Sequence, residues 1–168
     1  MNILFHLTLG TSIIASLTHS EIKSKKDLIQ KTVIGGGIGI LSHGVLDYTP
    51  HCYPIHSKFD AIFGFILILF TLWHVKRKWR IISLFTLLGC ILPDLIDLSP
   101  GILNSLLPLN LPTFDPIFPW HIHTYSGSIY TNDCSVSTLN HLLVLLFSGV
   151  VIWYHKNTLK NIINNDRS

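Results

Sequence analysis

The chain has 168 residues, enough for one domain, with 48% apolar and 12% charged residues and a mean hydropathy of +0.47. The charged share is about half that of a soluble globular domain, and the small net charge of +3 comes from clustered Lys and Arg, which argues against a nucleic-acid-binding surface. Cys52, Cys90 and Cys134 show no CxxC spacing, which argues against a zinc knuckle or a thioredoxin-like motif.

In chain order, the first apolar segment covers residues 3–17 and carries His6. It has no basic stretch before it; its lysines follow it, so it reads as a retained helix rather than a signal peptide. The second covers 32–49 and holds Gly35, Gly36, Gly37, Gly39 and Gly44, small residues that let neighbouring helices approach. His43 and Asp47 lie four residues apart on it, hence on one helical face, and His51 follows its end. Ionisable residues in an apolar span are costly and usually face a bundle interior or a wet cavity. Asp60 opens the third segment, 61–75, where it or Ser57 can cap a helix. The fourth, 81–98, ends in Pro93-Asp94-Leu95-Ile96-Asp97. Residues 99–135 then form a long outer connection that is apolar, uncharged by Lys or Arg, and broken by Pro100, Pro108, Pro112, Pro116 and Pro119. It carries His121 and His123 beside Trp120, as suits an interfacial or re-entrant cap. The fifth segment, 136–154, begins with Asn140 and His141 near its start.

These elements make an all-α, polytopic membrane bundle of about five helices, a single domain over 1–168, with a long proline-rich extracytoplasmic segment. A soluble bundle is the alternative, disfavoured because polar helix faces are scarce. Eleven of the twelve basic residues fall on one side of the five-span layout, Lys58 being the exception. The positive-inside rule makes that side cytoplasmic, with the N-terminus outside and the C-terminus inside. Seven of ten histidines and six of nine acidic residues then lie on the outer side. That clustering is independent of the Lys and Arg residues used to orient the chain.

Imidazoles and carboxylates gathered at one membrane face suit a divalent cation. Zn²⁺ comes first, with Mn²⁺ or Fe²⁺ as alternatives. The candidate ligands are His6, His43, Asp47, His51, Asp94, Asp97, His121 and His123, and Asp47 and Asp97 are the candidate catalytic carboxylates. The alternative for each pair is a buried polar network that fixes helix packing. His6 and His141 also fit interfacial positions, and His56, Asp115 and Asp133 fit exposed turns. Cys52 and Cys134 both fall outside, where a disulfide can persist, but spacing alone does not show that they meet.

Ser42-His43-Gly44-Val45-Leu46-Asp47-Tyr48-Thr49-Pro50-His51 resembles the sHxxLDxxPH segment of small bacterial membrane-bound metal-dependent hydrolases, which are similar to the LexA-binding, inner-membrane-associated hydrolase group. Met1 to Leu7 with Gly10 resembles their His-bearing first helix. Gly89-Cys90-Ile91-Leu92-Pro93-Asp94 with Asp97 resembles their GxLLPDxxD helix, and Trp120-His121-Ile122-His123 their His-rich segment. Here the Pro-Asp motif follows the HxxxD motif, whereas in many relatives it precedes it, and no Arg separates His121 from His123. The resemblance implies a bacterial inner-membrane hydrolase acting at the outer face. Accessible substrates there are phospholipids or lipid-linked esters and phosphoesters, with membrane lipids as partners. A metal-free lipid phosphatase lacks its Lys/Arg clamp and Ser-Gly-His element in this sequence. A non-enzymatic membrane protein (structural metal site, transporter or interaction partner) is the second class.

Overall fold

The computed structural model describes residues 1–107, 109–130 and 133–163. Pro108 and Arg167, both counted above, lie outside the described residues. Each of the five apolar segments corresponds to a helix, three of them running one residue past its end: α1 (Ile3–Leu17), α2 (Lys25–Tyr48), α3 (Ser57–His74), α4 (Arg77–Asp97) and, after a short α5 (Ser99–Leu106), α6 (Ser135–Tyr154). A final helix, α7, covers Lys156–Ile162. The architecture is all-helical among the described residues, as expected. Two features differ from the sequence reading. The second helix starts seven residues earlier, because Ser24 accepts a hydrogen bond from the Asp27 amide and caps it. The connection over 99–135 is also not irregular throughout: it contains α5 and a 3-10 turn at Pro119–His121.

Three helices, α3, α4 and α6, are long and apolar enough to cross a membrane. Only 17% of the apolar stretch in each of α3 and α6 is buried in the protein, so phenylalanines, leucines and tryptophans such as Phe63, Phe70, Trp73 and Leu146 lie on the surface. That exposure is compatible with a hydrocarbon solvent and is costly in water. Two of the five segments do not meet the same test: α1 has 15 residues, and α2, though 24 residues long, is diluted by glycines and by Lys31, His43 and Asp47.

The closest packing is between α2 and α4. Gly35, Gly39, His43 and Asp47 recur every fourth residue along one face of α2. Against them lie Thr86, Gly89, Cys90 and then Asp94 on α4. A Cβ at Gly39 would stand 2.7 Å from the Thr86 carbonyl oxygen and 2.9 Å from the Cys90 amide nitrogen, so no larger residue fits without separating the helices. Gly89 meets the backbone of Gly36 in the same way. These glycines draw the two axes together and so bring the polar ends of both stripes face to face. Helix α1 packs against α2, α3, α4 and α6, with Leu7 and Ile14 in the core.

The basic ends of the helices meet at one end of the bundle. There the buried Lys31 Nζ bonds the Ser20 hydroxyl at 2.8 Å and the Ser20 carbonyl, and lies 5.3 Å from the Trp79 ring centroid. The Lys76 amide donates to Ile162 O at 2.7 Å, which ties α7 to the start of α4. At the other end, a disulfide joins Cys52 to Cys134, with Cα atoms 6.0 Å apart, and settles the pairing that spacing left open. Beside it, the His51 amide donates to Gly127 O (2.8 Å), and the Ile129 amide to His51 O (2.7 Å). The connection over 99–135 is thereby stapled over the ends of α2 and α4.

Candidate metal centre

Four side chains from three segments converge at this stapled end: His43 and Asp47 from α2, Asp94 from α4 and His121 from the 3-10 turn. One donor atom from each lies within 4.8 Å of the others, so the group could hold a metal ion. His43 Nε2 is 3.0 Å from Asp47 Oδ2, 3.5 Å from Asp94 Oδ1 and 3.3 Å from His121 Nε2. His121 Nε2 is 3.2 Å from Asp47 Oδ2 and 3.3 Å from Asp94 Oδ1.

The two imidazoles are oriented from behind. His43 Nδ1 lies 2.7 Å from the Cys90 carbonyl and can only donate there. His121 Nδ1 lies 2.8 Å from Asp97 Oδ2 and likewise donates. Each ring thus keeps its hydrogen on Nδ1 and turns Nε2 toward the two carboxylates, the arrangement metal-binding histidines use. Burial disfavours charge on His121, but the surrounding carboxylates of Asp47, Asp94 and Asp97 outweigh it and push its pKa up to about 10. A cation, whether proton or metal, is required between these groups.

The structure sorts the remaining candidate residues by position. Asp97 stands outside the four-residue group. Its carboxylate accepts from the Ile117 amide (3.0 Å), the Phe118 amide (3.0 Å) and His121, so it holds the loop and aims the ring. His123 is exposed and outside the group. His6, fully buried, places Nε2 3.2 Å from Asp47 Oδ1 and stacks on His43 at 4.0 Å between ring centroids. His51, also fully buried, donates from Nδ1 to Thr49 O at 2.7 Å, turns Nε2 to the Tyr53 hydroxyl at 3.1 Å and stands outside the four-residue group. Burial, and then the Met1 ammonium, push the His51 pKa down to about 4, so this ring is neutral at pH 7. His141 packs against Phe5, with centroids 4.2 Å apart, and belongs to the helix interface. Asp60 caps a helix, but not its own: it accepts from the amides of Ile3 (2.6 Å) and Leu4 (3.1 Å) at the start of α1.

Sequence reasoning overlooked three contributors. Trp120 lies on Gly44, where a Cβ would stand 2.7 Å from the indole, and this contact seats the turn that delivers His121. Only the Pro119-Trp120 pair ahead of His121 hinted at an anchored turn. Tyr53 and Ser128, bonded at 2.7 Å, form a hydroxyl wall joined to His51 at 3.1 Å. A cavity of about 620 Å³ is lined by Asp47, Asp94 and His121 together with this wall, with Lys58, and with apolar Leu98 and Ile102. Comparison with protein-family models finds no match for the chain, and no curated protein or solved structure matches it significantly.

Proposed function

We propose that the protein is a metal-dependent hydrolase of the bacterial inner membrane, with its centre at the outer face, acting on a lipid or lipid-linked ester or phosphoester. The observation that carries this reading is that the His43–Asp47–Asp94–His121 group borders a cavity lined by both polar and apolar residues, at the end of the bundle away from the clustered Lys and Arg. A cavity of this kind suits an amphiphile, with a polar group near the carboxylates and a chain along Leu98 and Ile102. The motif resemblance described above supports the same reaction class. Zinc is the preferred ion. Ligands at about 2.0–2.1 Å around a tetrahedral ion lie about 3.3 Å apart, and the five measured separations within the group run from 3.0 to 3.5 Å.

When bound, such an ion acidifies water toward pKa ~7 and polarises the scissile group. The chain's own residues do the rest. His43 and His121 present Nε2, fixed by the Cys90 carbonyl and by Asp97. Asp47 and Asp94 supply the negative charge that holds a cation. Tyr53, Ser126 and Ser128 offer hydroxyls to the polar end of a substrate.

A second reading has its own support. Four protein ligands close a tetrahedral centre, which is the pattern of a structural site. Turnover separates the two readings. Zinc-loaded protein in detergent micelles, assayed on fluorogenic phosphodiester and acyl-ester lipid analogues, should hydrolyse one of them. That activity should fall at least about a hundredfold in Asp47→Ala and with chelator. Stoichiometric zinc without turnover of either analogue would establish the structural reading instead.

A further inference from the structure

One strong cation lines the cavity beside the four-residue centre. Among the described residues, Lys58 is the only Lys or Arg there. Three features of this lysine are unexplained by the fold. It stands at the end of the bundle away from the clustered Lys and Arg. It is the second residue of α3, at the positive end of the helix dipole, where a cation is unfavourable. None of the ion pairs among the described residues uses it. Asp60, two residues on, is no counter-charge, because its two oxygens accept from the Ile3 and Leu4 amides. A cation set against the local electrostatics, without an acid beside it and facing a cavity, suits an incoming anion.

Charge balance says which anion. A divalent ion at the centre is offset by Asp47 and Asp94, with His43 and His121 neutral, and Asp97 behind His121 adds one more negative charge. The centre therefore has no positive charge to spare. An acyl ester is neutral and needs none. A phosphodiester carries one negative charge, which is costly in a cavity also walled by Ile55, Leu98 and Ile102 unless a cation meets it. Lys58 supplies one charge, and its flexible stem lets the ammonium follow the phosphoryl oxygens. Leu98 and Ile102, four residues apart and both exposed, continue the apolar side of the cavity to the protein surface, where a hydrocarbon chain can lie.

We propose that Lys58 is the anion-recognition residue of this site and that it selects a lipid phosphodiester over a neutral acyl ester. The proposal rests on the hydrolase reading and narrows its substrate class.

A binding measurement keeps the two separate. The probe is a fluorescent alkyl methylphosphinate, an anionic phosphodiester mimic whose two P–C bonds resist hydrolysis; the matching methyl ketone is its neutral counterpart. Zinc-loaded full-length protein in an uncharged detergent should bind the phosphinate. Lys58→Ala should weaken that binding about tenfold, Lys58→Glu further, and Lys58→Arg should restore it to within about twofold. The loss in Lys58→Ala should shrink when salt is raised to about 0.5 M, as a charge pair requires. Ketone affinity should not change in any variant. Stoichiometric zinc in each variant shows that it is folded. Dimethylphosphinate, which has no chain, should displace the probe only at a concentration at least about a hundredfold higher; displacement at equal concentration would overturn the lipid. Phosphinate affinity within about twofold across all the variants would overturn the role of Lys58. In the turnover assay above, hydrolysis of the acyl-ester analogue alone would overturn the phosphodiester preference and uphold the hydrolase. Lys58-dependent binding of the phosphinate without turnover of either analogue would overturn the hydrolase and leave recognition of a lipid phosphodiester standing.

Discussion

Asp97→Asn separates a ligand from a residue that positions one. The Asp97 carboxylate receives three N–H groups, from Ile117, Phe118 and His121, at 2.8–3.0 Å, and its side chain is 1% exposed. Asparagine keeps the volume and one acceptor oxygen. Its amide nitrogen must then face a backbone N–H, leaving a buried donor unsatisfied at about 1–3 kcal/mol. The ring of His121 also loses a charged partner behind it. Loss of an orienting carboxylate typically lowers metal affinity about 10–100-fold, or about 1.4–2.8 kcal/mol. Zinc affinity measured by competition with a chromophoric chelator should therefore drop within that range, with stoichiometry intact at saturating zinc. Asp94→Asn, which alters a ligand, should fall further and lose stoichiometry. An Asp97→Asn affinity within twofold of the unsubstituted protein would refute the positioning role. A loss equal to that of Asp94→Asn would make Asp97 a ligand.

Gly39→Val places a side chain where a Cβ would already stand 2.7 Å from Thr86 O, so α2 and α4 must part. We expect about 1–3 kcal/mol of destabilisation, read as a lower melting temperature in detergent, with weaker zinc binding because His43 and Asp47 ride on the same face. Replacing Cys52 and Cys134 by serine opens a closure spanning 82 residues. Chain entropy alone sets its value at up to about 4.5 kcal/mol, and zinc affinity should fall as well, since the stapled segment carries His121. Raising the pH should strengthen zinc binding. His121 holds a proton below about 10 that the ion must expel, so apparent affinity should climb about tenfold per pH unit from pH 6 to 8; a flat profile would show that no proton is displaced. Single cysteines at Lys25 and Thr113 should label from opposite sides of sealed vesicles, the second from outside. Cys90 is buried and the other two cysteines are joined, so they give no background. Labelling from one side would overturn the orientation.

The parts of the centre that lie on regular helix were legible in the sequence. His43 and Asp47 declare a shared face by spacing alone, and the uncommon Pro93-Asp94 pair marks the second strut. The glycines of α2 read as packing residues, and their register with His43 is what aims the pair at α4. Long-range partners were not legible. Asp97 looked like Asp94, three residues away, because nothing local reveals that the Ile117 and Phe118 amides return to meet it. His121 and His123 were equivalent candidates until the Trp120–Gly44 contact fixed the turn's rotation. Asp60 was read as a cap for its own helix, whereas it caps α1 from across the bundle. In each case the deciding contact joins segments far apart in the chain, and helical periodicity carries no information about it.

The central claim is that His43, Asp47, Asp94 and His121 hold a divalent ion. Metal analysis of the full-length protein, purified without chelator and loaded with zinc, tests it most directly when Asp47→Ala and Asp94→Ala are run beside it. The account requires at least stoichiometric tightly held zinc in the unsubstituted protein and a marked loss in both variants. Stoichiometric zinc that survives both substitutions, or none in the unsubstituted protein, would contradict it.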